Sequence, residues 1–187
     1  MAVGLGASVT IIDKSLDVLR HLDARFGHQV QTLYATQDAI IEETLTADLV
    51  IGAVLVPGAS APKLVTREMV SQMKKGSVLV DVAIDQGGCF ETSKPTTHAA
   101  PTYIVDGVVH YCVANMPGAV ARTSAAALNN ATLPFVLLLA DKGAEAAMRV
   151  DPHLRHGLNV YQGKVTNLQV SEAHGMAYSA PENIIAA

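Results

Sequence analysis

Two carboxylates that follow predicted β-strands are the residues of this chain best suited to chemistry. Asp13 stands at the end of an apolar run and just before a helical stretch, and Asp85 follows the run that ends at Asp81. In open α/β sheets, ligands bind outside the carboxyl ends of strands, where an acidic residue accepts hydrogen bonds from the ribose of a dinucleotide. A carboxylate there could also bind an amine or a water and stabilise developing positive charge. Each residue has a structural interpretation as well, Asp13 as a helix cap and Asp85 as the start of an Asx turn.

The elements that position these residues follow from an alternation of short β-rich runs with helical stretches. Strands are predicted at 8–12, 30–33, 48–52, 77–81, 103–105 and 108–111. Helices are predicted at 16–26, 37–45, 66–73, 122–140, 144–150 and 168–176. The alternation predicts a parallel, doubly wound α/β sheet, with the apolar run 48–52 covered on both faces. Asp106-Gly107 predicts a hairpin turn, and the long apolar helix is predicted to be buried in a soluble protein.

The glycines near the start do not have the context of a phosphate-binding loop. Such a G-x-G-x-x-G loop follows a strand and opens a helix, whereas Gly4 and Gly6 precede the first predicted strand and position 9 is Val. We interpret them as the end of a helical turn. A dinucleotide fold places its glycine loop about 20 residues before the ribose-binding acid, but only 12 residues precede Asp13. We therefore expect a Rossmann-like sheet that lacks its first strand and glycine loop.

Composition argues against several classes of protein. The chain has 187 residues, a net charge of −4, 50% hydrophobic residues and 16% charged residues, so it can bury a core and is not a disordered chain. The acidic balance gives no footprint for nucleic acid or for an anionic membrane. Since polar residues and a proline interrupt the longest uncharged window, we expect no membrane span. The spacing of Cys89 and Cys112 argues against a disulfide and against a metal site, and favours a reducing compartment. The His153/His156 pair has no third ligand at a suitable spacing, so it does not indicate a metal site either.

Several long motifs resemble those of the alanine dehydrogenases, which share a superfamily with transhydrogenase alpha subunits. They are IGAVLVPG at 51–58, APKLV at 61–65, DVAIDQGGCFE at 81–91, PTTH at 95–98, YCVANMPG at 111–118 and ATLP at 131–134. The resemblance implies an N-terminally truncated, NAD-binding Rossmann domain at 1–122. At 123–187 it implies a linking helix and a helical C-terminal segment that belongs to a substrate domain. The family's N-terminal substrate half, with its catalytic histidine, has no counterpart in the chain.

The resemblance also implies a reaction and a set of site residues. Alanine dehydrogenases carry out the reversible, NAD-dependent oxidative deamination of L-alanine to pyruvate and ammonia. Asp85 matches their catalytic aspartate, and the negative charge of Asp13 would repel a 2′-phosphate, which favours NAD over NADP. The matching cofactor-binding positions are Asp13, Val54, Leu55, Val56, Ile84, Asp85, Asn115 and Met116. The family is cytoplasmic and forms hexamers, so we expect a cytoplasmic homo-oligomer.

Two alternatives stay open at this point. One is the nucleotide-binding part of a transhydrogenase alpha subunit, although the DQGGCF and NMP segments favour alanine dehydrogenase. The other is a truncated, non-catalytic module for nucleotide binding or oligomerisation, because a sheet without a central strand exposes two strand edges.

Overall fold

The computed structural model of the chain describes residues 1–56 and 60–185. The strands are β1 (Val9–Asp13), β2 (Val30–Tyr34), β3 (Leu49–Gly52), β4 (Val78–Asp81), β5 (Thr102–Val105), β6 (Val108–Tyr111), β7 (Val160–Tyr161) and β8 (Lys164–Val165). The helices are α1 (Leu16–Phe26), α2 (Gln37–Thr46), α3 (Arg67–Gln72), α4 (Ala121–Lys142), α5 (Ala144–Val150), α6 (Pro152–His156), α7 (Leu168–His174) and α8 (Pro181–Ile184). The chain divides into two compact units, Met1–Val54 with Pro62–Ala114, and Leu55–Ala61 with Asn115–Ala187. The boundary expected at residue 122, between an NAD-binding domain and a segment of a substrate domain, stays a prediction.

The first unit is an α/β structure with two sheets. Strand β1 pairs in parallel with β2, and a four-stranded sheet has the order β3-β4-β6-β5. Its β3–β4 and β4–β6 pairs are parallel, and β5 is antiparallel to β6. Within the described residues, β1 and β3 are therefore both terminal strands of their sheets, as expected for a Rossmann-like sheet without a central strand. The predicted α/β class is confirmed.

Local side-chain bonds explain why the helices of this unit begin within one residue of the predicted positions. Ser15, Thr36 and Thr66 each accept a hydrogen bond from the backbone N–H three residues later, which satisfies an otherwise unpaired donor of the first turn. The predicted hairpin is also present, since Asp106 and Gly107 have φ angles of 51° and 84° between β5 and β6. Both signals depend only on neighbouring residues.

Burial within the four-stranded sheet differs from the prediction at one edge. Leu79 of β4 and Val108 of β6 are fully buried, but Leu49 and Ile51 of β3 are 51% and 57% exposed. The prediction that β3 is covered on both faces is wrong for the described residues. The physical reason is that β3 is a terminal strand, and an apolar run is buried on both faces only where other elements cover both. Gly6, with φ 83°, closes the short 3-10 turn Val3–Leu5, which confirms the predicted helical turn, although Gly4 lies inside the turn and not at its end.

The second unit contains the long helix α4, and here burial was predicted wrongly. None of the residues of α4 is buried, and Leu128 and Leu137 are 65% and 59% exposed. Nothing else in the described part of this unit covers the helix along its length, since its main neighbours are α5 and the 3-10 turn before it. Pro134 lies within α4 without ending it. By length and composition alone, Met116–Lys142 could cross a membrane, whereas the sequence predicted no membrane span.

The remainder of the second unit has a small core of its own. Ala147 and Met148 of α5 are buried, as is Ile185 just after α8. Strands β7 and β8 form a hairpin whose turn residues, Gln162 and Gly163, both have positive φ. The predicted helices at 144–150 and 168–176 are confirmed as α5 and α7.

Candidate functional site

Asp85 lies on a short 3-10 turn, Val82–Gln86, that begins directly after β4. Gly87 closes the turn with φ 87°, and its N–H donates to the carbonyl of Ile84 at 3.0 Å. Ile84 is 4% exposed, whereas Asp85 is exposed. The buried Ile84 side chain therefore anchors the turn from the core, and the carboxylate of Asp85 stands on the surface at the carboxyl end of a parallel strand.

A second carboxylate, that of Asp81, is fully buried at the start of the same loop. Its oxygens accept hydrogen bonds from the backbone N–H of Cys89 at 2.9 Å, from the Cys89 thiol at 3.5 Å and from the hydroxyl of Ser93. Among the ion pairs found in residues 1–56 and 60–185, none includes Asp81. Asp81 thus ties together the two ends of the loop that carries Asp85, a role that no local sequence pattern indicated.

Two glycines permit the close packing of this loop. A Cβ atom on Gly88 would lie 2.7 Å from Asp81 Oδ2, and one on Gly52 would lie 2.2 Å from Cys89 Sγ and 2.6 Å from Phe90 Cζ. Burial of Cys89, reinforced by the negative charge of Asp81, raises the pKa of its thiol to about 12. Cys89 is therefore a protonated core thiol at neutral pH.

Lys63 also binds the loop that carries Asp85, although it was not among the predicted site residues. Its Nζ donates to the carbonyl oxygens of Gly87 at 2.6 Å and Gly88 at 2.7 Å. The next residue, Leu64, donates its backbone N–H to the carbonyl of Cys89 at 2.7 Å. The only signal in the sequence was the position of Lys63 within the APKLV motif, since contacts between segments 24 residues apart follow from tertiary structure.

Asp13 ends β1, and one of its oxygens is already engaged locally. Asp13 Oδ1 accepts from the N–H of Ser15 at 2.7 Å, while the hydroxyl of Ser15, not Asp13, caps helix α1. The carboxylate keeps further acceptor positions for ribose hydroxyls, so this end of the site fits an adenosine ribose. The described residues contain no strand, glycine turn and helix in succession that would hold a pyrophosphate, since Gly4 and Gly6 precede β1. The fit to NAD therefore covers the ribose end alone.

The other predicted cofactor-binding residues lie in two further segments. Val54, Leu55 and Val56 follow β3, with Leu55 74% exposed. Asn115 adopts a left-handed conformation, with φ 60° and ψ 50°, and begins the 3-10 turn Met116–Val120. Pro57 and Gly58 of the IGAVLVPG motif lie outside the described residues.

Two cavities of the described residues are lined by other side chains. One is lined by side chains of α2 and α3 together with Thr66, and the other by α1 and β2. Neither is lined by a predicted site residue. We place the candidate site at the Asp85 loop and the end of β1 because the chemistry of their side chains, and not concave shape, marks them.

Comparison with known proteins gives a consistent result. The family model described as alanine dehydrogenase/PNT, C-terminal domain, matches residues 1–168. An alanine dehydrogenase from Halomonas elongata is 64% identical over 185 residues, which are 99% of this chain and 50% of that protein. Alanine dehydrogenase 2 of Staphylococcus aureus is 55% identical over 186 residues, again 99% of this chain and 50% of the relative. The chain thus spans about half the length of the curated relatives it matches.

Solved structures give the same relationship. A structure of an L-alanine dehydrogenase superposes with a TM-score of 0.82 at 51% identity, over 94% of this chain and 48% of that one. A transhydrogenase from Sinorhizobium meliloti is more distant, with a TM-score of 0.57 and 30% identity over 65% of this chain and 35% of that one. The resemblance carried by the sequence motifs is confirmed. The chain belongs to the alanine dehydrogenase/PNT family and carries the C-terminal domain of that family.

Proposed function

We propose that this chain forms the NAD-binding, Asp85-bearing part of an alanine dehydrogenase, which deaminates L-alanine oxidatively and reversibly to pyruvate and ammonia. One observation carries the proposal: an exposed Asp85 stands on an anchored turn at the end of a parallel strand, in a chain 64% identical to an alanine dehydrogenase. The same proposal includes that the protein acts in the cytoplasm as a homo-oligomer. This part is supported by the sequence similarity to that enzyme.

Each site residue has a defined task in this reaction. When bound, NAD would supply the acceptor for the hydride that leaves Cα of alanine. Asp13 accepts hydrogen bonds from the adenosine ribose and repels a 2′-phosphate. Asp85 accepts a hydrogen bond from the substrate amine or from the water that attacks the imine, and its charge stabilises the positive imine. The residues that would contact the rest of the cofactor lie in three places: Val54, Leu55 and Val56; Ile84; and Asn115 with Met116.

A chimera tests the proposal directly. This chain would replace the matching half of the Halomonas elongata alanine dehydrogenase, and formation of NADH from NAD and L-alanine would be followed by absorbance. We expect activity from the chimera. Asp85→Asn should reduce kcat by about a hundredfold or more, within the range for loss of a general acid–base group, while the Kd for NAD stays within about twofold.

A matched control removes an acidic charge elsewhere. Asp141, at the end of α4, is exposed, and Asp141→Asn should leave kcat unchanged. Alanine-dependent NADH formation undiminished by Asp85→Asn would refute the role of Asp85. A folded chimera that binds NAD but does not oxidise alanine would refute the function.

The transhydrogenase is the second candidate, because its structure matches 65% of this chain at 30% identity. Identities of 64% and 55% to two alanine dehydrogenases, over nearly the whole chain, favour alanine dehydrogenase over the transhydrogenase. Hydride exchange between two nucleotides in the absence of any amino acid would reverse this preference. Binding of NAD without either reaction would instead support a non-catalytic module.

A further inference from the structure

The peptide group between Gly88 and Cys89 is held from both sides by charged side chains. Its carbonyl oxygen accepts from Lys63 Nζ at 2.7 Å, and its N–H donates to Asp81 Oδ2 at 2.9 Å. Lys63 also binds the preceding carbonyl, that of Gly87, at 2.6 Å. Hydrogen bonds to a charged partner are about twice as strong as those between neutral groups. One peptide dipole thus links an ammonium group to a carboxylate that do not touch each other.

These contacts explain how the Asp81 carboxylate can be buried. A buried carboxylate is strongly destabilising unless hydrogen bonds and opposite charge compensate it. Asp81 receives its hydrogen bonds from Cys89 and Ser93, and the peptide that it binds is oriented by Lys63. The positive charge therefore acts on Asp81 through the peptide.

The same peptide lies next to two consecutive glycines. Gly87 and Gly88 both have positive φ, at 87° and 75°, a conformation that glycine reaches easily and also leaves easily. Their N–H groups close the 3-10 turn by donating to Ile84 and Ala83 at 3.0 Å. With their carbonyls bound to Lys63, the two glycines are restrained on both sides. Asp85 stands two residues before them, so its direction depends on this restraint.

We infer that Lys63 and Asp81 form a clamp on the Gly88–Cys89 peptide that fixes the direction of Asp85, and that both are positioning residues. The positioning of Asp85 for deamination rests on the proposed function. The clamp itself does not, and can be measured in this chain without any reaction.

Thiol labelling measures the clamp. Cys89 lies at the clamped peptide and Cys112 lies just after β6, and both are fully buried. An aromatic disulfide reagent would be added to the full chain, and the rate at each cysteine followed by peptide mass spectrometry. Lys63→Met keeps the length of the side chain and removes its donors. We expect labelling of Cys89 to accelerate by at least about tenfold, equivalent to ~1.4 kcal/mol of local stability, with the rate at Cys112 unchanged.

The control is Lys164→Met, which removes an exposed ammonium group from strand β8 in the other unit. A Cys89 rate in Lys63→Met equal to that of Lys164→Met would overturn the clamp. Equal acceleration at Cys89 and Cys112 would also overturn it, since that pattern shows a general loss of stability. Lys63 is the residue to change first because its side chain is exposed, so the variant keeps the core intact.

The chimera then tests positioning. Lys63→Met should lower kcat for alanine by about tenfold with the KM for NAD within about twofold, and Lys63→Arg, which retains donors for the carbonyls, should restore most of kcat. Unchanged kcat in a Lys63→Met protein whose Cys89 labels faster would show a purely structural clamp and overturn the positioning role. If the unmodified chimera does not oxidise alanine, the proposed function fails while the labelling rates still decide the clamp.

Discussion

Gly52, the last residue of β3, stands where a side chain would clash with its neighbours. An ideal Cβ at this position would lie 2.2 Å from Cys89 Sγ and 2.6 Å from Phe90 Cζ, whereas non-bonded carbon atoms pack at about 3.5–4.0 Å. Both neighbours are buried, at 0% and 1% exposure, so neither can swing into solvent. Overpacking of a core costs about 1–3 kcal/mol, and we expect Gly52→Ala to cost ~2–3 kcal/mol because two buried groups must move. At about 2–4 °C per kcal/mol, the melting temperature should fall by about 4–12 °C.

The measurement is urea denaturation followed by circular dichroism, with a thermal scan in parallel. Gly4→Ala is the matched control, because a Cβ there meets no atom within 4 Å, and its free energy of unfolding should stay within about 0.5 kcal/mol of the parent. A double variant, Gly52→Ala with Phe90→Leu, should lose less stability than the sum of the two single losses, since the shorter side chain relieves the contact. If Gly52→Ala were as stable as Gly4→Ala, the docking of the Cys89–Phe90 segment beneath β3 would be incorrect.

Two further predictions concern nucleotide binding and pH. Calorimetry on the chain alone should find weak NAD binding or none, because Asp13 fits a ribose but the described residues contain no glycine loop for the pyrophosphate; a micromolar Kd would contradict this. His110 is fully buried, with Nε2 2.7 Å from Thr92 Oγ1, and burial lowers its pKa below the ordinary 6.5. The unfolded chain then binds a proton that the folded chain excludes, so the free energy of unfolding should fall as the pH drops below about 6.5. His110→Gln should flatten part of that slope in urea titrations at a series of pH values, and an unaltered slope would count against it.

Much of the fold was predictable because its signals are local. Ser15 and Thr66 mark helix starts through a bond to an N–H three residues away, and Asp106-Gly107 marks a turn through its own φ angles. Burial was predicted less well. The apolar residues of β3 and α4 were expected inside the protein, yet Leu49 and Leu128 are more than half exposed. An apolar pattern shows which face an element would bury, but the covering element is a separate fact of tertiary structure.

The candidate site shows the same limit more sharply. An acidic residue at the end of a strand is the signal that selected Asp13 and Asp85, and Asp81 satisfies it equally well. The structure separates them by what each carboxylate already accepts. The oxygens of Asp81 are occupied by Cys89 and Ser93 inside the core, so Asp81 could not bind a substrate without releasing the loop. Asp85, four residues later, is exposed on a turn whose backbone is held in place. The proposed contact with substrate therefore falls to Asp85, whereas Asp81 holds the loop that carries it. This difference depends on the backbone path between the two residues and not on either residue type.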